Sequence, residues 1–405
     1  RGYGFANIEH RVPVKPETIF QSGSLGKQFT AAAVMLLVED GKLRLDESIR
    51  SYLPDAPKAW QPITIRHLLT HTSGIPDYTT DSFDYWRNYT EAELARLAFG
   101  MRTEFPAGTR WNYSNTGYQL LGVIVRRVSG KFYGDVLRER VFGPAGMTTA
   151  RVISEADIVP NRAAGYRLVN GELKNQEWVA PELNTTADGS LYFTVLDLVA
   201  WDRAIGTGAV LSRESWRQVF APATLASGRH YPYGFGWDVD PVNGRRAQRH
   251  GGAWQGFQTY FARYPDDSLS IAVLANLAGS RPGEIVEALA AELVPALAQS
   301  DTVPIADEPA VTARLARLLA AARAGRLAPK EFAWVRAGYF PGAPRAFQQL
   351  LKDLGEPRTI KLLAREELGD DRLYRYRIGY GEKRIEATLG LAPDDRISEF
   401  SLRPL

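Results

Sequence analysis

The sequence predicts an α+β protein followed by a second, smaller α+β unit, and three observations carry that prediction. Short strand-like runs lie towards both ends of a long first region and helical segments group between them, without regular βαβ alternation. A stretch at 300–311, SDTVPIADEPAV, interrupts the pattern with prolines and acids and reads as a linker. Beyond it the apolar residues recur every second position over four consecutive segments. The expected organisation is a main domain at 1–299, the linker, and an accessory α+β domain at 312–405.

Each element has its own signal. The opening RGYGFANIEH reads as the end of a strand already under way, and it lacks the basic start and apolar core of a signal peptide. Residues 26–39, GKQFTAAAVMLLVE, are rich in helix formers and unbroken by proline, and Asp40-Gly41 ends them. TIRHLLTHTSGI at 64–75 predicts a short helix closed by Ser73-Gly74. Two more helices are expected at 116–129 and 196–204. Aromatic and β-branched runs at 256–264 and 270–276 predict paired strands, with Pro265-Asp266-Asp267 as their turn, before a helix at 284–298. In the smaller unit a helix at 312–325 precedes strands at 359–367, 373–380, 383–391 and 396–402, parted by Gly-Asp-Asp, Gly-Glu and Pro-Asp-Asp turns.

Composition narrows the function. With 49 basic and 46 acidic residues in 405, the net charge of +3 gives no reason to expect nucleic acid or an anionic membrane as the main partner. There is no cysteine, so disulfides and thiolate metal sites are excluded. No apolar run approaches the roughly 20 residues needed to span a bilayer.

Three short patterns could do chemistry, and each has a plainer explanation. Ser24-Leu25-Gly26-Lys27 puts a hydroxyl and an amine three apart at a helix start, on one face. A lysine whose pKa is lowered by desolvation can activate an alcohol that is otherwise a poor nucleophile. The plainer explanation is a serine N-cap with a solvated lysine. Tyr113-Ser114-Asn115 would project a phenol and a carboxamide to the same side of an extended turn, or would simply cap the helix that follows. His250-Gly251-Gly252 would set an imidazole on a strand edge that a substrate backbone can approach, or would be a glycine-rich surface turn.

Taken in order, the three patterns resemble the signature of the serine β-lactamase and penicillin-binding protein superfamily. The surrounding segments TIRHLLTHTSGIPDY (64–78), PAGTRWNYSNTGYQLLG (106–122) and HGGAWQGF (250–257) are similar to the class C-like branch, which holds D-Ala-D-Ala carboxypeptidases, D-aminopeptidases and family VIII esterases. The resemblance covers about residues 1–298. It implies an antiparallel sheet flanked by helices plus an all-helical region. It also implies an acyl-enzyme hydrolase of small esters, amides or D-amino-acid peptides, with no metal or organic cofactor and with penicillin bound or slowly turned over.

Residue by residue, the resemblance makes Ser24 the nucleophile, with Lys27 and Tyr113 activating it and moving the proton. Asn115, His250, Gly252 and Trp254 become substrate-binding residues, and the backbone N–H groups of Ser24 and Ala253 the oxyanion hole. A periplasmic or secreted location is the matching expectation, and relatives carry a further helix and strand ahead of the segment matching RGYGFAN. Many also carry Lys-Thr-Gly where this chain has His250-Gly251-Gly252, which argues against an efficient β-lactamase. The rival is a non-catalytic member of the same fold that recognises peptidoglycan fragments or a partner protein.

Several other residues need placing. Pro181-Glu182-Leu183-Asn184 mimics a deacylating glutamate motif but lies too far from Tyr113 for that layout, and is read as coincidence. In the glycine-rich loop at 187–201, Tyr192 and Phe193 are candidate cleft residues. His67 and His71, four apart, could hold zinc but lack a third ligand and are read as structural. Tyr78, Phe83, Tyr85, Trp86 and Tyr89 form either a substrate wall or a covering layer, while Trp111 and Trp254 are better cleft candidates. The C-terminal domain is expected to be a cystatin- or NTF2-like cone that covers the cleft or mediates association.

Overall fold

The computed structural model describes residues 1–80, 82–298 and 304–405. The predicted serine segment divides in two, a 3-10 turn at Gly23–Gly26 and an α-helix at Lys27–Glu39. That helix is apolar on all sides, so it is buried on all sides: Ala31 to Leu37 are each at most 5% exposed. Phe29 at its start packs against Phe142, Phe193 and Trp201, with ring centroids 4.8–6.1 Å apart. The helix Asn115–Ser129 packs beside it in the same core and ends on Gly130 in the left-handed conformation. Ile65–Leu69 is capped by Thr64, whose hydroxyl accepts from the His67 N–H while the His67 ring accepts from the Thr64 N–H.

A three-stranded antiparallel sheet forms the other layer: Gln248–Trp254, Phe257–Tyr264 and Leu269–Ala275, in that order. Side chains alternate across its central strand. Phe261 therefore joins the large core, whereas Ala262 and Tyr264 join a smaller core under the helix Pro282–Leu293. That helix is shorter than the 284–298 expected, because Pro295 opens a separate 3-10 turn. A second small sheet pairs Phe20–Gln21 and Arg151–Val152 with Leu191–Phe193 between them. It ties the chain just before Ser24 to the loop containing Asp188 and Gly189. Tyr192 and Phe193 are 1% and 0% exposed within it, so they belong to the core and do not line the cavity at Ser24.

After the first core, the expected linker starts outside the described residues at 300–303. From 304 to 308 the chain is irregular, and Pro309 opens the helix Pro309–Arg323. The four expected strands form one antiparallel meander, Thr359–Leu368, Asp371–Tyr380, Lys383–Leu391 and Ile397–Pro404. Tyr374, Tyr376 and Ile378 point to one face and pack against Leu315, Leu318, Leu319 and Ala322 of the helix. A second helix, Tyr339–Leu351, completes this core.

The two cores meet along a polar and aromatic seam. Arg110 donates two hydrogen bonds of 3.0 Å to Asp371, and Arg229 donates to Glu367 at 3.1 Å. Glu104 accepts from the Ala337 N–H at 2.5 Å, and Phe105 meets Trp334 edge to face. Among the described residues no helix is long and apolar enough to cross a membrane.

Candidate active site

The position of Ser24 is set by its neighbours. Ser22 donates to the Gly189 carbonyl at 2.6 Å and accepts from the Leu191 N–H at 3.1 Å, which pins the start of the turn. The strand Gln248–Trp254 crosses directly above it. A Cβ on Gly252 would lie 2.1 Å from the Ser22 carbonyl oxygen, and one on Gly23, whose φ is +52°, would lie 2.4 Å from the Ala253 nitrogen. Both glycines are thus required by backbone packing. The contact also brings Ser24 and Ala253 to the wall of one cavity.

Ser24 does not cap the helix. The cap positions, Ser22 for the turn and Gly26 for the helix, make no side-chain cap bond. The Ser24 hydroxyl instead lies 3.2 Å from the Lys27 amine. Lys27 is fully buried, and its Nζ has two shorter contacts, 2.6 Å to Asn115 Oδ1 and 2.5 Å to the Asp188 carbonyl. The Asn115 amide is oriented by its own donor end, which bonds Asp77 at 3.0 Å and Thr79 at 3.3 Å. Two of the three lysine partners are therefore pure acceptors, and only the serine hydroxyl can also donate. A neutral amine fits this arrangement completely: it donates to Asn115 and Asp188 and accepts the serine proton. Burial lowers the Lys27 pKa from 10.5 to about 8, against the opposing pull of the Asp188 and Asp77 carboxylates.

Tyr113 stands across from this pair, with Lys27 Nζ 4.8 Å from its ring centre. Ser114 is extended, at φ −141° and ψ 113°, which projects Tyr113 and Asn115 to the same side as the spacing predicted. The Tyr113 hydroxyl is buried facing Ser24, and burial raises its pKa well above the ordinary phenol value, against the lowering pull of the Ser24 hydroxyl. It is a protonated donor beside the nucleophile.

Behind Tyr113 runs a chain of hydrogen bonds whose directions can be assigned. His71 packs tilted against the Tyr113 ring, with centroids 4.2 Å apart. Its Nδ1 accepts from the Ser114 N–H at 3.1 Å, so its Nε2 carries the proton and donates to Tyr233 at 3.2 Å. Tyr233 in turn donates to His250 Nε2 at 2.9 Å, and His250 Nδ1–H donates to the Gly251 carbonyl at 2.6 Å. Both imidazoles are thereby neutral. Burial and the nearby Lys27 lower both pKa values, that of His250 to about 4. Tyr233→Phe would leave His71 and His250 each one buried partner short. It is expected to cost about 2 kcal/mol or more of stability, read as a lower urea midpoint at unchanged slope.

The cavity at Ser24 is small, about 50 Å³, and is bounded by Tyr78, Asn115, Leu183, Asp188, Ala253 and Trp254. Trp254 is fixed by its indole N–H, which donates to Asn184 Oδ1 at 2.6 Å. Of the residues expected to contact substrate, Asn115 and Trp254 reach this cavity. Gly252 serves the close backbone contact, and both ring nitrogens of His250 are spent inside the protein. Asn115 likewise has both ends of its amide engaged, holding the lysine. Asp77, Thr79, Asp188, His71 and Tyr233 belong to the site but were not singled out for it, whereas Tyr78 was one of the substrate-wall candidates. Tyr78 donates to Asp188 Oδ2 at 2.9 Å and lines the cavity, while Phe83 and Tyr89 pack behind it and Trp86 is 72% exposed. Glu182 is exposed on the 3-10 turn Pro181–Thr185, in keeping with a coincidental motif. His67 and His71 are both used as hydrogen-bonding structural residues.

A serine and a buried lysine at one helix start, faced by a tyrosine under an antiparallel sheet, define a β-lactamase-like α+β fold. The chain belongs to the β-lactamase family: residues 1–295 match the family described as Beta-lactamase. Penicillin-binding protein 4* of Bacillus subtilis (strain 168) is 33% identical over 292 residues, 68% of this chain and 64% of that protein. D-aminopeptidase of Gluconobacter oxydans (strain 621H) is 29% identical over 302 residues, 72% of this chain and 56% of that protein. The chain thus spans less than two thirds of either relative's length. The octameric penicillin-binding protein homologue from Pyrococcus abyssi superposes with a TM-score of 0.66 over 99% of this chain and 92% of its own, at 24% identity, a likeness of fold.

Proposed function

We propose that the chain is a serine hydrolase that works through an acyl-enzyme on Ser24. The observation that carries this reading is the buried Lys27 amine, held by two pure acceptors with its third direction on the serine hydroxyl. Neutral Lys27 takes the Ser24 proton as Oγ bonds to the substrate carbonyl carbon. The backbone N–H groups of Ser24 and Ala253 hold the oxygen that becomes negative, a contribution of about 3–4 kcal/mol per donor. Tyr113 gives its proton to the departing amine or alkoxide and is reprotonated from Lys27, so the proton taken from serine leaves with the product. Water then attacks the acyl carbon by the reverse path, releasing the acid and restoring Ser24.

The substrates are small esters, amides and D-amino-acid peptides. The relatives named D-aminopeptidase support the amides and D-peptides, and the small cavity beside Ser24 supports a compact acyl substituent. The absence of a lysine and hydroxyl at His250-Gly251-Gly252 supports weak turnover of penicillin at best. The test is a hydrolysis panel of p-nitrophenyl acetate, D- and L-alanine p-nitroanilide and nitrocefin. Turnover is expected for the ester and the D-anilide, with the L-anilide and nitrocefin slower. Failure to hydrolyse any of the four would turn the reading towards a non-catalytic binder.

A further inference from the structure

A cavity of about 310 Å³ at the seam between the two cores is left unused. Its walls carry several aromatic rings, among them Trp111 and Tyr231 from the first core and Trp334 and Tyr339 from the second. Trp111 and Tyr231 are stacked face to face, with centroids 4.4 Å apart and planes 8° apart, so each covers one face of the other and the pair is held rigid at the cavity wall. Its size falls at the lower end of the range of small-molecule sites, about 300–1,000 Å³.

The charges on these walls do not cancel. Asp371 is matched by the two hydrogen bonds from Arg110, and Arg336 lies 4.0 Å from Asp77, on the side towards Asn115. Glu399 faces the cavity with no hydrogen bond or ion pair among the described residues. Glu399 is exposed to solvent, and partial desolvation beside the cavity with the Asp371 charge pushes its carboxyl above the ordinary range, against the lowering pull of Arg336 on the same wall. Ring faces with one unmatched carboxylate attract a cation and disfavour an anion. Two of its wall residues, Trp111 and Asn112, directly precede Tyr113 in the chain.

We propose that this cavity binds a hydrophobic ammonium, the ring faces taking its apolar body and Glu399 its charge. The ammonium is either the far end of an extended substrate or a separate small amine, and the chemistry is shared. The placing of a substrate end there rests on the hydrolase reading, while the binding itself does not.

The direct test uses the Ser24→Ala protein, so that catalysis plays no part. Phenethylammonium, 2-phenylethanol and 3-phenylpropionate are titrated by calorimetry and tryptophan fluorescence. The ammonium is expected to bind at least about tenfold more tightly than the alcohol, and the carboxylate more weakly than either. Glu399→Gln should remove the preference for ammonium over alcohol, and Trp334→Ala should weaken both ligands. Equal affinity for ammonium and alcohol, or a preference untouched by Glu399→Gln, would overturn the site. In wild type, a changed kcat for p-nitrophenyl acetate on adding phenethylammonium marks a separate effector. Competition confined to amine-bearing substrates marks a substrate end. Either supports the site, and if wild type hydrolyses nothing the binding result still decides it.

Discussion

Replacing Ser24 by alanine is expected to abolish turnover of every substrate the wild type hydrolyses, with kcat falling on the order of 10⁶-fold. The size follows from the loss of the bond-forming atom itself. Lys27, Tyr113 and the two amides would remain in place, yet none of them can accept the acyl group. The fold should barely register the change. The Ser24 hydroxyl contacts the Lys27 amine and faces Tyr113, and the other two partners of Lys27 stay in position. Unfolding free energy should therefore move by about 1 kcal/mol or less, measured by urea denaturation of the same preparations. Loss of activity with an intact melt separates a missing nucleophile from a damaged fold.

Lys27→Met should lower kcat by about 10³–10⁴-fold while leaving a measurable remnant, because the nucleophile and oxyanion donors survive. Wild type and variant should also differ in their pH profiles. The working form of Lys27 is the neutral amine, whose fraction grows as pH rises through about 8. Wild-type kcat/KM should climb with pH and level off above that value, and Lys27→Met should lose the climb. Stability has a related slope of definite sign. The folded pKa, about 8, lies below the ordinary 10.5, so between those values the unfolded chain binds more protons at this site. This residue therefore makes the protein more stable as pH rises from about 8 to 10.5, and contributes no slope below that window. The methionine variant should lack that contribution, seen as a flatter dependence of the urea midpoint on pH. It should still fold, although Asn115 Oδ1 and the Asp188 carbonyl each lose a donor.

The contrast between Lys27 and its partners explains how much of the site could be read from the sequence. Ser24 and Lys27 are three apart on one helix start, so their meeting depends on local geometry alone. Tyr113 and Asn115 meet the same side because Ser114 is extended, again a local fact. Asp77 and Asp188 sit in two loops far apart in the chain, and nothing in their neighbouring residues marks them. Only packing brings both beside Lys27. The hydrogen-bond chain from His71 through Tyr233 to His250 draws on three distant segments, and a reading centred on His67 and His71 as a pair could not find its middle member. His250 and Asn115 were expected to bind substrate, and only the structure reveals that their polar atoms are engaged within the protein.

The fold divides along similar lines. Alternation in the C-terminal segments has a strong period and each strand emerged within a few residues of its expected bounds. The helix Tyr339–Leu351 went unrecognised because Pro341, Gly342 and Pro344 look like breakers; the backbone is non-helical at Phe340, but the run continues from Pro341 with these residues at its start and its apolar side on Phe347 and Leu351. Tyr192 and Phe193 were misplaced for the opposite reason. Aromatic residues beside a glycine-rich loop suggest a cleft wall, yet here they occupy the middle strand of a small sheet and fill the core.

The most direct test of the central claim is peptide-mapping mass spectrometry after treatment with a fluorophosphonate. One adduct per chain is expected, on the peptide containing Ser24, with none on the Ser24→Ala protein. An adduct on any other residue, an adduct that persists in Ser24→Ala, or an unmodified wild type would contradict the assignment of Ser24 as the acylated nucleophile.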